Sequence, residues 1–271
     1  MPEHFTLDEF RFKHFDYREG HHVAIFGPTQ QAGKSTTGFA LLEAVRQIQP
    51  DIAPVTLAMK HEDRVIAHWT KRLGFREVPS WPPDRRFAEL PPFGSKPPGY
   101  TLWPKQTLTD VERDNERLQH EFFKAIVHNR AHTPSITHAN ELYGLLAELG
   151  ARVKEPRHVL ASSIPGLRSL LTAVITRDSI AGHGLWYESQ KPSGTQGISI
   201  PGFFFNSAEH MLLSKDGEER NRKRYAEIAC GIGERDIERE TLNLDPYSWL
   251  YVRRSGPEWA IIDAYDPSLS V

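Results

Sequence analysis

The chain has 271 residues, 39% hydrophobic and 25% charged, with a formal net charge of −2 and one cysteine, Cys230. That composition fits a soluble globular protein with a substantial core. The absence of an 18-residue apolar run or a basic-then-apolar N-terminus speaks against membrane spanning and export, and one cysteine excludes an internal disulfide or a cysteine-rich zinc site, so a cytoplasmic setting is expected.

Residues 9–27 read as a β-hairpin: Phe10, Phe12 and Phe15 give strand character, Tyr17-Arg18-Glu19-Gly20 turns, and Val23 to Phe26 returns. His21-His22 falls in that turn and reads as solvated, with no metal role. The returning strand enters a loop bounded by Gly27 and Gly33, then Lys34-Ser35-Thr36 and a helix marked by Phe39, Leu41, Leu42, Val45 and Ile48. A triphosphate needs this order. Loop N–H groups and the positive helix end face the phosphates, a lysine reaches the outer ones, and a hydroxyl holds Mg²⁺. The usual pattern encloses four residues between its glycines. Here there are five, Pro28, Thr29, Gln30, Gln31 and Ala32, so either the loop is one residue longer or Pro28 stands at the first-glycine position.

Val55 to Met59 is a short apolar strand ending at Lys60, with Glu62 and Asp63 just beyond; a helix over 64–73 follows, with Val65, Ile66, Trp69 and Leu73 at helical spacing. Eight prolines between Pro79 and Pro104 make 79–104 an extended surface insertion, with a short strand at Tyr100 to Trp103. Thr109 and Glu112 form a capping box for a helix to about His128. Ser135 to Ala139 is a brief strand leading to Asn140-Glu141, and a helix over 164–176 precedes the strand Leu185-Trp186-Tyr187, which ends at Ser189-Gln190. Phe203 to Phe205 and His210 to Leu213 read as strands, 218–229 as a helix, and 249–252 and 259–262 as closing strands. Strands alternating with helices predict a mainly parallel α/β sheet, and without a repeat or linker residues 1–271 form one domain.

Hydrolysis of a triphosphate needs a carboxylate at the tip of a neighbouring strand. Glu141 follows the strand 135–139 in mid-chain; Asp263 follows Trp259 to Ile262 but has no helix after it, which favours Glu141. Trp69, Trp81, Trp103, Trp186 and Trp249 read as core or interface anchors. The run Arg220 to Arg224, flanked by Glu218, Glu219 and Glu227, reads as a solvated helix face.

The motif order Gly-Pro-Thr…Gly-Lys-Ser-Thr, Leu-Ala-Met-Lys…Asp, Leu-Trp-Pro-Lys, Asn-Glu-Leu-Tyr-Gly-Leu-Leu and Gly-Leu-Trp-Tyr-Glu-Ser-Gln-Lys-Pro-Ser resembles the FtsK/HerA superfamily of P-loop ATPases, over about residues 10–255. It is most similar to the compact DNA-packaging and DNA-transfer ATPases of phages and mobile elements. The resemblance implies a RecA-like P-loop core with an N-terminal hairpin and C-terminal β additions, binding ATP and Mg²⁺. Lys34 then contacts the β- and γ-phosphates, Ser35 ligates Mg²⁺, Thr36 lies near the α-phosphate, Glu141 polarises the attacking water and Gln190 reads the γ-phosphate. Arg177, with Arg168 in reserve, reaches the neighbouring subunit's nucleotide. The implied assembly is a homo-oligomeric ring, a hexamer, that translocates double-stranded DNA with a portal, relaxase or nuclease partner, in a bacterial or phage-infected cytoplasm. A charge near balance does not exclude this, because a ring motor concentrates positive charge on its pore loops.

One departure stands out. Asn140 occupies the position where the family carries aspartate, and Thr137-His138 replaces apolar residues before it. Asparagine can bond a water on Mg²⁺ but brings no negative charge, which makes the alternative a nucleotide-binding assembly protein with slow or no hydrolysis.

Overall fold

Alternation within the strands sets up the layers. In β2 (His22–Phe26), Val23 and Ile25 join the hydrophobic cluster on one side of the sheet, Ala24 and Phe26 the cluster on the other, and all four are buried. A strand that is apolar on both faces belongs inside a sheet covered by helices on both sides. The structure, a computed structural model, describes residues 2–28, 32–58, 62–79, 99–103, 122, 134–140, 174, 182–190, 192, 202–229, 232–256 and 258–264.

In chain order, β1 (Glu3–Thr6) leads into α1 (Leu7–Glu9) and a π-helical turn over Phe10–His14, followed by β2, α2 (Lys34–Ile48), β3 (Ala53–Leu57), α3 (Arg64–Arg72), β4 (Arg76–Val78), β5 (Tyr100–Leu102) and β6 (Ser135–Ala139). Then come β7 (His183–Ser189), α4 (Gly202–Ser207), β8 (Ala208–Ser214), α5 (Glu219–Ile228), α6 (Glu234–Asn243), β9 (Ser248–Arg253) and β10 (Trp259–Asp263). The ten strands among the described residues join one sheet in the order β1-β10-β9-β8-β2-β7-β6-β3-β5-β4. From β8 to β4 every pairing is parallel; β9 runs against both of its neighbours, and β1 pairs in parallel with β10 at the far edge. The expected mainly parallel α/β sheet with C-terminal β additions is therefore present.

On one face α2 and α3 pack through Phe39 and Trp69, whose rings stack 5.8 Å apart, together with Trp186 and Trp249. Phe204, Phe205, Tyr225 and Ile237 fill the opposite face. Buried Arg11 ties the N-terminal turn to α2 through Glu43 (2.7 Å), and Arg72 of α3 reaches the same carboxylate at 3.1 Å.

Three local expectations change. The N-terminal hairpin is absent: Phe15 N–H donates to Phe10 O at 2.9 Å, and the wide turn this closes buries Phe10 and Phe15 while leaving Phe12 exposed. Residues 203–205 lie in helix α4 rather than a strand, because a short aromatic run carries no periodicity that separates the two. His22 is buried in β2, where its Nδ1 accepts from Leu185 N–H at 2.9 Å, so it is not solvated. Strands β1 and β4 and helix α6 were not expected at all. The helices predicted over 109–128 and 164–176 lie outside the described residues apart from Phe122 and Val174, as does the proline-rich stretch over 80–98.

Candidate functional site

The carboxyl ends of β2, β6 and β7 meet the amino ends of α2 and α3 at a cleft of about 450 Å³. Of the residues singled out from sequence, Pro28, Gly33, Lys34, Ser35, Thr36, Asn140 and Gln190 line it. Thr29, Gln30, Gln31, Glu141, Arg168 and Arg177 lie outside the described residues.

The loop is built on glycines for stated reasons. Gly27 N–H donates to Ser189 O at 3.1 Å, so the ladder continues through it and the free loop begins at Pro28. A Cβ on Gly27 would stand 2.5 Å from Ser214 Oγ and 2.7 Å from the Ala32 methyl, so a larger residue fits only if the neighbouring backbone or side chains shift. Gly33, the residue before α2, has φ 69°, a left-handed conformation suited to glycine. It offers no side-chain cap, which leaves the first N–H groups of a 15-residue helix facing the cleft. Lys34 reaches back across the loop, its Nζ donating to Gly27 O (2.8 Å) and Pro28 O (3.0 Å).

Behind the lysine lies a polar network that sequence reasoning missed in part. Ser35 Oγ donates to Glu188 Oε2 at 2.7 Å, and Asn140 Nδ2 donates to Ser35 Oγ at 2.8 Å and to the same Glu188 oxygen at 3.3 Å. The other Glu188 oxygen lies 2.8 Å from His138 Nε2, with both side chains buried. Because a carboxylate only accepts, the imidazole N–H is the donor. Glu188 belongs to β7, which lies between β2 and β6. Two signals could have found it: an acidic residue inside an otherwise apolar strand must be paired, and the polar Thr137-His138 on another strand offered the partner.

These residues fit a magnesium ion. Ser35 hydroxyl and Glu188 carboxylate are hard oxygen donors, and beside them Asn140 Oδ1 is buried without a hydrogen-bond partner among the described residues. Among the described residues no group of three or more His, Cys, Asp or Glu is placed to hold a metal.

Two further residues shape the cleft. Tyr247 carries φ 66°, unusual for an aromatic residue, and its ring stands beside the start of α2. Asp63 caps α3, its Oδ1 accepting from Val65 N–H (3.0 Å) and Ile66 N–H (3.1 Å). Asp263 is three strands away from β2 and accepts from Ser248 Oγ at 2.8 Å, which removes it as the alternative carboxylate. In the basic run, Lys223 pairs with Glu219 and Arg224 with Glu227, each at 2.6 Å, as on a solvated helix face. Trp69, Trp186 and Trp249 are core residues. No helix among the described residues is long and apolar enough to cross a membrane.

No protein-family model matches the sequence, nor does any curated protein sequence. Solved structures do match the fold. The genome-packaging NTPase B204 of Sulfolobus turreted icosahedral virus 2, in complex with AMP, aligns over 91% of this chain and 98% of its own with a TM-score of 0.59 at 10% identity. VirB4 of Thermoanaerobacter pseudethanolicus aligns over 91% and 90% with a TM-score of 0.60 at 12% identity. The pCW3 conjugation coupling protein TcpA with ATPγS aligns over 91% and 60% with a TM-score of 0.50 at 12% identity. The chain thus shares the fold of these genome-packaging and conjugation proteins, a mixed α/β architecture with a mostly parallel sheet.

Proposed function

We propose that the chain is the ATP-hydrolysing subunit of a motor that moves double-stranded DNA. The observation that carries this reading is the meeting of Lys34, Ser35, Asn140 and Gln190 at one cleft, at the uncapped start of α2. In this reading the backbone from Gly27 to Gly33 cradles the phosphates. Lys34 leaves its loop carbonyls for the β- and γ-phosphates, and Thr36 lies near the α-phosphate. Ser35, Asn140 and Glu141 hold Mg²⁺, which when bound neutralises phosphate charge. Glu141 orients the attacking water and Gln190 reads the γ-phosphate. Tyr247 offers the base an aromatic face. Arg177, or Arg168, comes from the next protomer, so the active form is a ring, with a hexamer favoured. Fold kinship with packaging and conjugation proteins supports DNA as the cargo, handled with a portal, relaxase or nuclease in the cytoplasm of a bacterial or phage-infected cell.

Phosphate release tests this. ATP with Mg²⁺ promotes assembly, and Lys34→Ala lowers turnover by at least about 100-fold, the scale of losing a preorganised charge on the reacting group. Undiminished turnover in that variant overturns the reading. One observation favours a second: a neutral amide, Asn140, contacts the Ser35 hydroxyl, as in a nucleotide-binding assembly protein that hydrolyses slowly or not at all. Strong stimulation of hydrolysis by DNA selects the motor; tight ATP uptake without phosphate release selects the assembly protein.

A further inference from the structure

We infer that Glu188 supplies the negative charge that the residue at position 140 does not bring to the magnesium site; this rests on the nucleotide reading above. Residue 140 at the end of β6 is a neutral amide, but β7 brings a carboxylate to the same hydroxyl. Ser35 Oγ is 2.7 Å from Glu188 Oε2 and 2.8 Å from Asn140 Nδ2. Since β7 lies between β2 and β6, a side chain two residues before Gln190 can reach both the helix that follows the loop and Asn140.

The surroundings hold that carboxylate in one orientation. A buried carboxylate is costly unless its oxygens are satisfied, and Glu188 is 1% exposed. His138 takes Oε1 at 2.8 Å, leaving Oε2 directed at Ser35. His138 is thus a positioning residue, and its own ring is braced edge-on by Phe39, with centroids 4.9 Å apart. Helix α2 crosses closely enough that a Cβ at Gly38 would stand 3.1 Å from both Glu188 Oε1 and His138 Nε2. Beside the hydroxyl, buried Asn140 Oδ1 has no hydrogen-bond partner among the described residues, an acceptor available to a hard cation or its water. Hydrogen bonding across the sheet does not need a charge at 188, since glutamine can make neutral bonds to Ser35, Asn140 and His138. A cation, by contrast, is held more tightly by a charge there.

Glu188→Gln separates these roles by keeping the side-chain shape and removing the charge. Mn²⁺ is the probe, its binding followed by electron paramagnetic resonance in the presence of ATPγS, with ATPγS uptake in EDTA measured alongside. The expected result is nucleotide uptake in EDTA that does not fall, since the lost charge repels a metal-free polyphosphate, and a loss of Mn²⁺ affinity of roughly 10–100-fold. The double variant Glu188→Gln/Asn140→Asp returns the charge to β6 and restores Mn²⁺ affinity to within several-fold of wild type. Unchanged Mn²⁺ affinity in Glu188→Gln overturns the assignment while leaving the nucleotide reading intact. If Glu188→Gln does not fold, the double variant decides: wild-type Mn²⁺ affinity supports the assignment, and a loss beyond about tenfold overturns it. Wild-type protein that takes up no nucleotide with or without metal overturns the nucleotide reading, and the assignment falls with it.

Discussion

Buried histidines sit toward both ends of the parallel sheet, and their partners differ in kind. At the carboxyl ends His138 donates to the Glu188 carboxylate, and that pair opens through Ser35 onto the cleft. Toward the amino ends His210 lies between neutral groups, His21 at 3.0 Å and the Tyr251 hydroxyl at 2.8 Å. Phe15 packs 4.9 Å from its ring and Tyr17 6.2 Å, so aromatic packing closes that end. Burial, with His21 and Arg253 nearby, holds the His210 imidazole well below its ordinary range. A buried charge costs far more than a buried neutral hydrogen bond. The chain places one beside the cleft, where a cation could use it, and gives His210, toward the other end, the neutral partners His21 and Tyr251.

The two ends should therefore break differently. His138→Ala leaves Glu188 Oε1 buried without its donor, and the expected loss is about 3–5 kcal/mol in urea unfolding. His210→Phe removes two neutral contacts and keeps the aromatic volume, at about 1–3 kcal/mol. If the two losses are equal, or reversed, the contrast between the ends is wrong.

Gly27→Ala sharpens the comparison from the cleft side. The added methyl meets Ser214 Oγ and the Ala32 methyl, so the strand end or the loop must shift, at about 1–3 kcal/mol. Because the displaced backbone includes a carbonyl that Lys34 Nζ holds, nucleotide affinity measured by calorimetry should fall by more than the stability change implies. A variant that is destabilised yet binds nucleotide as wild type separates the loop from the cleft.

Legibility from sequence divided along the same line. Lys34 and Ser35 were readable because a phosphate loop is a local pattern, with strand, loop and helix all within about 25 residues. Glu188 was not, because its role comes from lateral neighbours: His138 lies 50 residues away and Ser35 153, and an apolar run does not disclose which strand lies beside it. His138 did register as a polar intruder in a strand, without its reason. The N-terminus misled through spacing, since Phe10 and Phe15 share a face only in a wide π turn. Helix α6 left too faint a stripe to read: in a mostly charged segment only Ile237 and Thr241 are buried.

The smallest expected effect is on acid stability, and its sign follows from His210. In the folded protein His210 resists protonation because it is buried among His21, Tyr251, Tyr17 and Arg253; unfolded, it titrates near the ordinary imidazole value of about 6.5. As pH falls below about 6.5 the unfolded chain takes up a proton that the folded chain refuses, so stability falls toward the lowered folded value. One such site contributes a slope of at most about 1.4 kcal/mol per pH unit. His21, lowered mainly by burial, acts in the same direction over the same window. Glu43 acts elsewhere. Burial raises its carboxyl, but hydrogen bonds and charge from Arg72 and Arg11 outweigh that and hold it below its usual value. Its contribution is complete above about pH 4.3 and is lost only as pH falls through the lowered folded value. Urea unfolding at pH 7.5 and 5.5 therefore isolates the histidines. Wild type should lose stability between the two, and His210→Phe should lose less while retaining the share due to His21. An equal loss in both proteins moves the proton to another group and leaves the closed end of the sheet without a titrating role.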